Sequence, residues 1–133
     1  MSEPENLQTV QSLFAAFGRG DVPALLGALA EDVQWIISGP EVVPYFGDWQ
    51  GHAGVTDFLV QIGTAVAFER FEPQEFIARD EKVIVLGSER GRVKATGRTF
   101  DNDWAIAFTL RAGKISRVRI YDNTDAVAQA FRA

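Results

Sequence analysis

The segment "RVRIYDNTDAVAQAF", residues 117–131, ends an apolar strand pattern in an acid, Asp122, immediately before a helix start. A carboxyl group in that place suits general acid–base chemistry, because apolar surroundings disfavour its charge and raise its pKa toward neutrality. The competing role is local, since Asp122, Asn123 and Thr124 are all helix-capping types. Both roles stand, and they are compatible. Three further polar sites could join the acid. His52 in "GHAG", with an ordinary pKa of about 6.5, is either an acid or base partner or a structural residue at a helix start. Tyr45 and Trp49 in "PYFGDWQG" either orient a ligand at a pocket rim or pin their loop to the body. Arg90 in "SERGR" could pair with an anionic substrate, or with Asp122, which would keep that acid ionised.

The elements that must position these residues follow from periodicity. "SEPE" is a capping box from Ser2 to Glu5, and Leu7, Val10, Leu13, Phe14 and Phe17 continue at helical spacing. "GRGD" ends that helix, and Asp21 caps a second from Val22 to about Leu29 with Pro23 in its first turn. "VQWIIS" is a short strand, and "GPEVVPYFGDWQG" is a loop rich in Gly, Pro and aromatics. Val55, Phe58, Leu59, Ile62 and Val66 form the apolar face of a third helix over about residues 53–66. The period then changes to two. "FERFEPQEFIARD", "VIVLGSERGRVKA", "TFDNDWAIAFTLR" and "ISRVRIY" are four strands joined as hairpins, followed by a short helix from Thr124 to Phe131. Helices first and a meander afterwards predict an α+β domain with helices covering one face of a curved sheet.

Strand alternation assigns faces. Val118, Ile120 and Asp122 share one side of the last strand, with Arg117, Arg119 and Tyr121 on the other. Asn102, Trp104, Ile106, Phe108 and Leu110 point inward from the preceding strand, while Asp101, Asp103 and Thr109 point out. Ile84, Leu86, Ser88, Arg90 and Arg92 form one face of the strand before it. Trp35, Trp104, Phe14, Phe17 and Phe58 are expected as wall and core.

Composition narrows the function. The 133 residues are 47% hydrophobic and 23% charged, as expected for one domain with its own core. Thirteen Lys and Arg are scattered among eighteen acids, for a net charge of −5, so no basic stripe can follow a phosphate backbone. Without cysteine, and with a single histidine, neither a disulfide nor a cysteine- or histidine-rich metal site is available. No phosphate loop, nucleophile elbow or EF-hand loop occurs, and no cofactor is expected. No signal peptide or long apolar run is found, so a soluble cytoplasmic protein without a membrane or nucleic-acid partner is expected.

Three stretches carry a family resemblance: "FAAFGRGDVPALLGALAEDVQW", "PYFGDWQGHAGVTDFL" and "KATGRTFDNDWAIAFTLRAGKISRVRIYDNTDAV". Through them nearly the whole chain resembles the SnoaL-like proteins of the nuclear transport factor two superfamily, which includes ketosteroid isomerases, limonene epoxide hydrolases and polyketide cyclases. The resemblance implies a cone-shaped curved antiparallel sheet with three N-terminal helices on its concave face, enclosing an apolar pocket. It also implies a homodimer through the outer sheet face and, in the hydrolase and cyclase branches, a catalytic acid at Asp122. Other family residues do not carry over. The positions of the ketosteroid isomerase base and protonated acid hold Ile37 and Ile106. The Arg and Asp of the epoxide hydrolase middle strand correspond to Arg90 and Arg92, which leaves the acid pair incomplete.

Three functions are consistent with these residues. One is a cofactor-independent isomerase, cyclase or hydrolase of a small hydrophobic carbonyl or polycyclic compound. It would use Asp122 with His52, Arg90 or Tyr45, in a pocket walled by the aromatics above, Trp49, Ile37, Ile106 and Ile120. The second is a non-catalytic binder of a hydrophobic small molecule. The third is an interaction domain using the outward Arg117, Arg119, Tyr121 and Thr109.

Overall fold

The computed structural model describes residues 2–132. Helix α1 (Glu3–Arg19) starts at the expected capping box, the Ser2 side chain accepting from the Glu5 N–H, and stops at Gly20, whose φ of 68° is left-handed. Helix α2 (Val22–Gly27) is capped by Asp21. It ends short of the expected Leu29, because Leu29 already belongs to strand β1 (Leu29–Ile37). Helix α3 (Gly51–Ala65) buries Val55 and Phe58 and runs directly into β3, so Val66 is a strand residue.

Six strands form one curved, unclosed sheet in the order β2-β1-β6-β5-β4-β3, comprising β2 (Gly47–Gln50), β3 (Val66–Arg79), β4 (Lys82–Val93), β5 (Thr99–Arg111) and β6 (Lys114–Tyr121). Neighbours are antiparallel except β1 and β6, which run parallel, so the sheet is mixed where a purely antiparallel one was expected. Strand β2 falls in the segment read as a loop; its four residues are too few to show a period of two. The β5–β6 hairpin turns at Ala112 and Gly113, both with positive φ, the geometry that matches strand twist. Register shifts in β3, at β1–β6 and at β5–β6 bend the sheet around its contents. Pro73 is tolerated because β3 is an edge strand. Helix α4 (Thr124–Phe131) then packs on β5 and β4. No described helix is long and apolar enough to cross a membrane.

On the inner face of β4, two glycines flank Glu89 and make room for rings from β5. A Cβ on Gly87 would lie 2.4 Å from Trp104 Cζ2 and 2.5 Å from the Glu72 carbonyl oxygen; one on Gly91 would lie 2.6 Å from Phe100 Cζ. Gly87→Ala must therefore displace both a packed indole and a neighbouring backbone. We expect a loss of about 1–3 kcal/mol in urea unfolding, with altered Trp fluorescence. Unchanged stability would mean that Trp104 is not held against Gly87.

Candidate functional site

The interior holds a cavity of about 60 Å³, walled by both the sheet and the helices. That exceeds the roughly 15 Å³ needed to hold one water molecule. Phe14 and Phe17 reach it from α1, Trp35 and Ile37 from β1, and Phe58 from α3. Trp104 and Ile106 line it from β5 and Ile120 from β6, with Trp104 stacked at 20° on both Phe14 and Phe71. Tyr45 is an inner wall residue, only 2% exposed, and not a rim. The indole N–H groups of Trp35 and Trp104 are buried with no acceptor among the described residues.

Two carboxyl groups enter this apolar space, Asp122 and Glu89. Glu89 is 7% exposed, in the middle of β4. Between them lies Asn102, itself buried, whose Nδ2 donates to Glu89 Oε2 at 3.2 Å and to Asp122 Oδ1 at 3.0 Å. The accepting oxygens can thus be no farther apart than these two bonds laid end to end, about 6 Å. The backbone N–H of Asn123 donates to Asn102 Oδ1 at 2.7 Å. Only the amide oxygen can accept there, so the NH₂ must face the acids. The helix cap is Asn123, whose side chain accepts from the Ala126 N–H, which leaves the Asp122 carboxyl free of that duty.

Burial sets the protonation of the pair. Desolvation, and secondly the Asp122 charge, push Glu89 up to about 8, against weaker lowering by the Asn102 bond and the Arg70 charge. Asp122 is also raised by desolvation, with the Asn102 bond opposing. At neutral pH Glu89 is therefore mostly a neutral acid and a donor, and Asp122 is the first of the two to ionise. Burial and then the two carboxylate charges raise the Tyr45 phenol, so it keeps its O–H.

Three expected site residues lie elsewhere. Arg90 does not meet Asp122. Its parity puts it on the outer face, where it bonds Glu69 at 3.1 Å and Asp101 at 2.8 Å, with half-exposed side chains all round. Arg90→Ala should consequently leave stability nearly unchanged, and leave reaction at the inner acids unchanged. A large loss of turnover in a folded Arg90→Ala protein would overturn this placement. His52 spends Nε2 on the Leu29 carbonyl at 3.1 Å, tying α3 to β1 outside the cavity lining. Trp49 donates Nε1 to the Tyr45 carbonyl at 3.1 Å and so pins the loop that carries Tyr45, without lining the cavity itself. The second acid is Glu89, one residue before the expected Arg90. Its signal lay in the shared parity of Val83, Val85, Glu89 and Val93, all buried. Among the described residues no group of three or more His, Asp or Glu is placed to hold a metal ion.

Comparison with known proteins agrees with this architecture. A family model described as a SnoaL-like domain matches residues 10–118. The chain is similar to the crystal structure of an NTF2-like protein from Burkholderia xenovorans, at 44% identity over 99% of both chains with a TM-score of 0.92. It is similar to TerC co-crystallised with polyporic acid, at 26% identity over 97% of this chain and 99% of that one, with a TM-score of 0.87. An uncharacterized protein of Mycobacterium tuberculosis is 26% identical over the full length of both chains.

Proposed function

The chain belongs to the SnoaL-like family, and from that premise we propose that it is a cofactor-independent proton-transfer enzyme acting on a small hydrophobic carbonyl compound. The observation that carries the reading is the Glu89–Asn102–Asp122 cluster, two buried residues and one half-buried, which offers a neutral carboxylic acid and a carboxylate in one apolar cavity. Two titratable groups whose surroundings push their pKa values apart suggest a division of acid and base roles. In this reading Asp122 takes a proton from the carbon next to the carbonyl. Glu89, with Tyr45, donates hydrogen bonds to the oxygen as negative charge gathers there. Returning the proton at another carbon gives isomerisation; attack by the enolate on a second carbonyl of the same molecule gives cyclisation.

The surroundings support a ligand with acceptor oxygens. The unpartnered indole donors of Trp35 and Trp104 belong to the same walls, and a buried donor left unpaired costs about 1–3 kcal/mol that a ligand oxygen would recover. The volume of about 60 Å³ favours a compact substrate over a polycyclic one. The related TerC, crystallised with polyporic acid, supports an organic ligand in this fold.

The test needs no knowledge of the natural substrate. Small cyclic and aryl ketones are incubated with the protein in D₂O, and deuterium uptake at the α-carbon is followed by proton NMR. Wild-type protein should accelerate exchange of at least one ketone, and Asp122→Asn should not. Binding of ketones without any exchange would favour the alternative of a non-catalytic carrier.

A further inference from the structure

We infer that Asn102 is the positioning residue of the site, holding Glu89 and Asp122 side by side and anchoring both to the start of α4. This inference rests on the proposed acid pair but asks what builds it. A surface asparagine on a strand satisfies its amide with water; Asn102 is only 2% exposed. It donates to Glu89 on β4 and to Asp122 just after β6, and accepts from one backbone N–H. That set has a single consistent orientation, since the Asn123 N–H must meet the oxygen and both acids must meet the NH₂ group.

The choice of residue type follows. Leucine would fill similar space but take the amide partner from the buried Glu89, the half-buried Asp122 and the Asn123 N–H. Aspartate would accept from Asn123 but present a third acid to the other two. Asparagine alone among residues of this size supplies two donors on one side and an acceptor on the other. It also couples the acids, because the two bonds share one nitrogen and a shift of either carboxyl pulls on the other. The charged and titratable groups that act on this cluster are Glu89 from β4, Asp122 after β6, Tyr45 from the β1–β2 loop and Arg70 from β3. Of these only the two acids bond the amide.

The deciding experiment follows the Asn102 side-chain NH₂ signals of ¹⁵N-labelled wild-type protein across pH, beside the carboxyl signals of Glu89 and Asp122. The amide should move in two steps that coincide with the two carboxyl titrations. In Asn102→Leu, both carboxyls lose a donor to their charged form and should titrate higher by about one to two pH units. Amide signals that follow neither acid, or carboxyl titrations unmoved in folded Asn102→Leu, would overturn the inference. If Asn102→Leu does not fold, the wild-type amide titration decides alone. Neither readout needs a substrate, so a failure of α-carbon exchange alongside a positive amide result would sink the proposed reaction and leave the positioning role standing.

Discussion

Asp122→Asn is expected to lower turnover by about 10²–10⁴-fold while the protein keeps its fold. The amide replaces the carboxyl at nearly the same volume, and its oxygen can still accept from Asn102 Nδ2, as Asp122 Oδ1 does at 3.0 Å. What it cannot do is take up a proton. Its effect on stability should be small, because the cap of α4 belongs to Asn123 and because the variant no longer buries a charge that desolvation disfavours. The measurement is single-turnover rate beside circular dichroism and urea unfolding for both proteins. Retained turnover in a folded Asp122→Asn protein would remove Asp122 as the base.

The second large effect is on stability, and it concerns Glu89. Its folded pKa, about 8, lies above its ordinary value of 4.5, so over that interval the folded state binds more proton than the unfolded one. Stability must then fall as pH rises, by up to about 1.4 kcal/mol per pH unit, and this contribution levels off above about 8. Asp122, also raised, adds a slope of the same sign over the lower part of the window. Glu89→Gln removes the larger slope. We expect urea unfolding to give similar stabilities for wild type and Glu89→Gln near pH 5 and a more stable variant near pH 9. Parallel curves at pH 5, 7 and 9 would mean that Glu89 titrates alike in both states and is not buried as an acid.

Much of this site was legible in the sequence, and each miss has a physical cause. The inward face of β5 was readable because Trp104, Ile106, Phe108 and Leu110 alternate with Asp103, Ala105, Ala107 and Thr109, and all four are buried. The same rule placed Asn102 and Asp122 inside. Strand β4 gave no such contrast over Val83 to Leu86, where both faces are apolar, and the inward positions 87 and 91 are glycines with no side chain to signal burial. Only Val93, beyond the glycines, marks that parity as inward, so Arg90 stood as the candidate and Glu89 was passed over. The parallel pairing of β1 with β6 was hidden for a different reason: it joins residues some eighty positions apart, and nothing local records it. Asn102 was placed correctly yet given no role, because its importance lies in two partners distant in sequence, Glu89 on β4 and Asp122 after β6.

That the two inner acids do not titrate alike is tested most directly by a carboxyl ¹³C NMR titration of wild-type protein labelled at Asp and Glu. The expected result is one inward acid, Glu89, titrating near 8, and Asp122 titrating at lower pH but above its ordinary 3.8. Both acids titrating together in the ordinary carboxylate range would mean a wet, open cleft, and the acid–base reading of this cavity would be wrong.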